Sequence, residues 1–125
     1  MRPQTLSAVA ALAQAGESFD FALRSFLDEF QLEPDASRLT AEPARLVSVL
    51  GDGERYDAFL AATAETLAAT HGFEAPMWVW QETRKLHRPW FALPWKGLRA
   101  ILLLESPAAF RSRNLFVSAN ALSRV

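Results

Sequence analysis

The chain of 125 residues contains no cysteine. That excludes disulfides, thiolate nucleophiles and zinc sites built on thiolates. Only two histidines occur, His71 and His87, sixteen positions apart. Neither belongs to a His-x-x-x-His pair or has a carboxylate at ligand spacing, so no metal site is expected. Glycine is sparse, at five residues, and the phosphate-cradling loops that depend on it are missing. No G-x-G-x-x-G, G-x-x-x-x-G-K-[ST] or G-x-S-x-G is present. The longest strongly apolar run, "AILLLE", falls far short of the ~20 residues needed to cross a bilayer. "SAVAALAQA" near the start is short, is interrupted by Gln14 and follows a single Arg2, so it reads as an amphipathic helix and not as a leader. No catalytic residue, cofactor or metal is expected from these absences, and a non-enzymatic cytoplasmic protein is.

Half of the residues are apolar and the net charge is −1, as for a globular chain that can fill a core. At this length a single domain is expected over 1–125. The small net charge conceals a division. Residues 1–83 carry five arginines against thirteen acids, net −8, and residues 84–125 carry six arginines and two lysines against one acid, net +7. Such a division marks either two parts that pack and neutralise each other or a basic binding face; the packing of acidic 1–83 on basic 84–125 is the expectation.

The pattern predicts an all-α fold, a compact bundle of five or six helices with a Trp/Pro-rich irregular segment at about 74–96. A first helix runs from about Thr5 to Ala15, with the stripe Leu6, Val9, Ala10, Ala13 and Gly16 as a left-handed stop. A second begins at the cap Ser18, with Asp20 in its first turn and the stripe Phe19, Leu23, Phe26, Leu27, Phe30. Pro43 suits the first turn of a third helix over about 42–50. "GDG" marks a turn, and Asp52 caps the strongest helix, about 53–71, striped by Tyr56, Phe59, Leu60, Thr63, Ala64, Leu67 and His71 and closed by Gly72 and Phe73. Glu54 and Asp57 read as first-turn acids favoured by the helix dipole. Segment 74–96 holds all four tryptophans and three of the seven prolines. A short helix over about 77–86 and indoles pressed into the body are expected there. "GLRAILLLES" reads as a central buried helix or strand. Ser106 caps a fresh turn with Pro107 at its first position, and Ser118 caps a last short helix.

Functionally the basic part is the informative one. Arg and Trp are enriched where proteins bind one another, and the candidate partner-binding residues are Trp90, Trp95, Arg99, Arg111, Arg113 and Asn114. Arginines interleaved with aromatics also suit phosphates and bases, so nucleic acid is the alternative partner and an enzyme with an unrecognised site the third reading. A homo-oligomer stays open. Arg111 and Arg113 are two apart, so on a helix they point about 200° from one another; one is expected to anchor an acidic helix while the other faces out.

At "SFDFALRSFLDEF", "PMWVW", "RPWFALPW" and "ESPAAFRSRNLFVSANALSRV" the chain resembles a group of small bacterial proteins that close on P-x-x-F-R-x-R-N-x-F-V. Here that pattern falls on Pro107, Phe110, Arg111, Arg113, Asn114, Phe116 and Val117. The resemblance implies an accessory or antitoxin-like partner of another bacterial protein and carries no catalytic role.

Overall fold

The computed structural model describes residues 2–93 and 96–122. Among them the fold is all-α: six helices and one short two-stranded ladder. Helix α1 (Leu6–Gln14) starts where the Thr5 hydroxyl accepts the Ala8 N–H at 3.0 Å, the bond an N-cap supplies to an orphan donor. Its stripe Leu6, Val9, Ala10 and Ala13 is buried, and Gly16 leaves at φ 104°. Helix α2 (Phe19–Leu32) is capped by the Ser18 hydroxyl on the Phe21 N–H at 3.2 Å. Phe19, Leu23, Phe26, Leu27 and Phe30 all turn inward. Caps, spacing and glycine stops therefore act here as the sequence predicts.

Helix α4 (Gly53–His71) is the axis of the molecule. Its first core face, with Leu60, Ala61, Ala64, Leu67 and Ala68, packs on α1 and α2. A second face, with Ala58 and Ala62, packs on Phe110, Leu115 and Val117 of the C-terminal part. The two faces together need more buried positions than one amphipathic stripe supplies. The small residues on the two faces, Ala61 and Ala64 on the first and Ala58 and Ala62 on the second, let chain approach from both sides. Gly72 ends the helix at φ 72°, and the Phe73 N–H donates to the Ala68 carbonyl at 2.8 Å, closing a Schellman motif.

The predicted helix over 42–50 is absent. The chain forms one short turn, α3 (Ser37–Thr40), and runs without helix to residue 46. The Asp35 carboxylate accepts the Ser37 N–H at 2.9 Å ahead of that turn, a bond that holds Asp35 below the usual carboxylate range. The reason for the missing helix lies elsewhere in sequence. The Leu46 and Val47 N–H groups donate to the Asp57 carboxylate at 2.7 and 3.2 Å, so these donors have a partner better than a helical carbonyl. Asp57 is a full turn inside α4 and completely buried, so it is not the first-turn acid expected. Asp52 stands at the cap position without a capping bond and pairs with Arg55 at 3.4 Å.

Further along, the expected helix over 77–86 resolves into two 3-10 turns, Met77–Trp80 and Glu82–Arg84. Strand β1 (Trp90–Phe91) pairs in parallel with β2 (Leu115–Phe116), Trp90 beside Leu115 and Phe91 beside Phe116. The expected last helix after Ser118 is a turn over the residues described. "RAILLLE" does form a helix, α5 (Arg99–Glu105), but it is not central: Leu102 is its one buried residue. A 3-10 turn, Lys96–Leu98, precedes it and α6 (Ala108–Arg111) follows. Among the described residues no helix is long and apolar enough to cross a membrane.

The close seat of residue 46 on α4 makes a sharp demand at Gly53, where an added Cβ would overlap the Leu46 carbonyl. Gly53→Ala is expected to lower stability by about 2–4 kcal/mol, as overpacking against fixed backbone does. Gly51→Ala, two residues away with open space around it, should change it by less than about 0.5 kcal/mol. Urea unfolding midpoints compare the two, and equal midpoints would contradict the packing described.

Candidate interaction surface

Two arginines of the basic part are consumed inside the protein. Arg84 is fully buried. Its Nη2 donates to the Pro43 carbonyl at 2.6 Å and lies 3.4 Å from Glu42 Oε2. Its Nη1 donates to the Asp57 carbonyl at 3.4 Å and sits 3.9 Å from Asp57 Oδ1. Burial pulls the pKa of this guanidinium below its ordinary value, against the opposing fields of Asp57 and then Glu42. It stays charged at neutral pH, as arginine does in proteins. Arg113, 2 % exposed, donates from Nη1 to Glu65 Oε1 and to the Ala109 carbonyl, both at 2.6 Å, and from Nη2 to the Val79 carbonyl at 2.9 Å. Glu65 lies on the α4 face that carries Ala58 and Ala62, one and two turns on. The acidic and basic parts thus meet through these two guanidinium groups.

The tryptophans follow the arginines. The Trp78 indole lies 4.8 Å from the Arg84 guanidinium and donates its N–H to the Leu39 carbonyl at 3.1 Å. Trp80 stands 5.8 Å from Arg113, and Trp90 4.6 Å from Arg55. Every described indole therefore faces a guanidinium, a pairing worth about 0.5–2 kcal/mol according to how dry it is. Trp78 is pressed into the body, as expected, whereas Trp80 is 53 % exposed and Trp90 half-buried, each lying against a cation.

These contacts sort the candidate residues. Arg113 is an internal clasp and is not available to a partner. Asn114 is a backbone device: at φ 62° it turns the chain left-handed, a conformation that asparagine tolerates better than most residues. Its side-chain Nδ2 donates to the Leu86 carbonyl at 2.8 Å, and its carbonyl accepts the Trp90 N–H at 2.9 Å. Trp90 is half-buried over Arg55 and so only partly available. Trp95 lies outside the described residues. Arg99 is exposed, its guanidinium 4.8 Å from the Phe91 ring. Arg111 is exposed at the end of α6. Of the closing pattern, Phe110, Arg113, Phe116 and Val117 are buried, and Arg111 is the residue that faces out.

What sequence reasoning missed is the outer face of α5. Ile101, Leu103 and Leu104 are 48, 44 and 82 % exposed. Periodicity could not have found this, because a helix apolar all round predicts burial and not the identity of what buries it. The helix is well seated from below. Leu102 is buried, and the Ser106 hydroxyl accepts the Val117 N–H at 2.8 Å while lying 2.7 Å from the Leu102 carbonyl. Ser106 therefore ties the end of α5 to the strand region and does not cap the next turn. Among the described residues no group of three or more His, Cys, Asp and Glu could hold a metal ion. Comparison with protein-family models, curated proteins and solved structures finds no match.

The division of labour between neighbouring arginines is measurable. Arg113→Ala leaves the Glu65 carboxylate and the Val79 carbonyl without this donor, while the Ala109 carbonyl keeps the Ser112 hydroxyl, and should cost about 3 kcal/mol. Arg111→Ala, at an exposed site, should stay within about 0.5 kcal/mol. Thermal unfolding of the two single variants reads the difference; equal losses would contradict the clasp. Asp57→Asn should cost about 3–5 kcal/mol, because it leaves Arg84 buried beside a neutral amide. Combined with Arg84→Met it should cost less than the sum of the two single changes by at least about 1 kcal/mol, as coupled neighbours do.

Proposed function

We propose that this chain is a non-enzymatic protein-interaction module, an antitoxin-like or regulatory partner of another bacterial protein, which docks through α5. The observation that carries the reading is the exposure of Ile101, Leu103 and Leu104 on a helix fixed to the body through Leu102 and Ser106. Scattered surface leucines need no explanation, but three large aliphatic side chains on one seven-residue helix form a contiguous patch of the kind that marks a binding site. Arg99 begins the same helix and Arg111 is exposed on the next one, and arginine is among the residues enriched in protein interfaces. A hollow of about 600 Å³ along α1 and α2, with Arg2, Phe21, Arg24, Ser25 and Asp28 on its walls, is an open groove.

Leu104→Asp places a charge at the most exposed position of the ridge. It is expected to leave the melting temperature within about 2 °C and to abolish co-purification of the partner from the native host. A wild-type chain that elutes alone and captures no protein at stoichiometric amount would count against the proposal. So would a partner retained unchanged by the variant.

A further inference from the structure

The charge beside the α5 ridge says what kind of surface fits it. From residue 84 onward Glu105 is the one acid, set among eight cations. Arg84 and Arg113 are buried against Glu42, Asp57 and Glu65, and Lys85 pairs with Glu82 at 3.3 Å. Arg88, Arg99 and Arg111 are exposed, and no acid pairs with any of them among the described residues. The internal clasp therefore leaves these three arginines of the C-terminal part at the surface.

The helix geometry orders the ridge itself. With the buried Leu102 setting the inward direction, steps of 100° place Ala100 and Leu104 outermost, with Ile101 and Leu103 on the shoulders. Arg99 and Glu105 lie at the margins. Arg99 is held there by the ring of Phe91, which is itself stacked on Phe116 at 5.0 Å. The result is a convex apolar ridge, Ala100 to Leu104, about 6 Å long with a positioned guanidinium at its edge.

Resting on the reading of the chain as an interaction module, we infer that the ridge docks an acidic amphipathic helix of the partner. Leucine-type residues of that helix, spaced three and four apart, cover Ile101, Leu103 and Leu104. Carboxylates beside them reach Arg99, and the field of Arg88 and Arg111 favours their approach. A second copy of the chain fits less well. The C-terminal part that carries the ridge is net positive, so two copies repel as they approach. A basic helix would meet the same repulsion.

Three dye-labelled synthetic helical peptides of about 18 residues test this by fluorescence anisotropy against the full chain. One has a leucine stripe with glutamate elsewhere, one the same stripe with lysine, and one glutamate with the stripe changed to alanine. The leucine–glutamate peptide should bind, and its affinity should fall by roughly tenfold between about 0.05 and 0.5 M salt. Arg99→Gln should weaken it by roughly three- to tenfold and Leu104→Ser by roughly tenfold or more, both with an unchanged melting temperature. The other two peptides should bind at least roughly tenfold more weakly. If the leucine–lysine peptide binds as well as the leucine–glutamate one, the acidic chemistry is wrong while docking through α5 stands. If neither leucine peptide binds, the helical occupant is wrong; the native-host co-purification, with its Leu104→Asp control, then decides separately whether the module reading survives. Self-association in sedimentation, or capture by vesicles of anionic lipid, either of them lost in Leu104→Ser, assigns the ridge to a second copy or to a membrane surface and overturns the proposal.

Discussion

The buried carboxylate of Asp57 is the constraint on which the rest of the structure depends. Removing a carboxylate from water costs several kcal/mol unless its oxygens are occupied. Here they are occupied by two backbone donors, Leu46 and Val47, and faced by Arg84 and Arg45. Each occupant then fixes something larger. The donors hold residues 42–47 against the start of α4, which leaves no room for a side chain at Gly53. Arg84 in turn carries the Trp/Pro segment with it, because Trp78 stacks on the guanidinium and reaches back to the Leu39 carbonyl. One acid on the central helix thus organises an irregular stretch on either side of it in sequence. Arg113 on Glu65, two turns further along α4, repeats the arrangement for the C-terminal part.

This pattern explains which features were legible in the sequence. Helices α1, α2 and α4 are set by local rules: Thr5 and Ser18 cap, apolar residues recur at three and four, and Gly16 and Gly72 turn left-handed. Local rules can be read locally. The segment 42–50 has the same local marks, with Pro43 in place and Leu46, Val47 and Leu50 following, yet it is not helical. A carboxylate ten residues away competes for its N–H groups, and nothing within the segment records that. Asp57 itself was misread for the same reason. As an acid near a helix start it has an adequate local explanation, and only the fold shows that its partners lie at 46, 47 and 84.

The charge division was visible, and its meaning was half visible. The clasp exists, but it draws on two of the basic residues and leaves others at the surface. Spacing alone argued that Arg111 and Arg113 would separate, since side chains two apart on a helix diverge. Which of them turned inward depended on features no spacing contains: Glu65 on the second face of α4, and the carbonyls of Val79 and Ala109 close enough to share one guanidinium. By sequence Asn114 stands beside the arginines as a polar candidate. Its left-handed backbone and its bond to Leu86 show that it shapes the strand entry. The candidate partner residues that survive are those that the internal network does not use.

The same reasoning bears on α5. Its sequence is the most apolar of the chain, and in an isolated reading that argues for the centre of the molecule. The centre is already filled by α4, whose two faces take up the packing of both halves. A second apolar helix has no further core to enter, so it lies on the ladder with Leu102 down and Ile101, Leu103 and Leu104 out. Leu102 and the Ser106 hydroxyl hold it in one orientation, so a partner would meet a ridge already ordered. Ordering costs are among the main terms that oppose association, and a ridge fixed beforehand removes most of its share. That explains how so short a helix could serve as the anchor of a larger interface. The sequence argues for burial of this helix, and the structure corrects that expectation: Leu102 is its one buried residue.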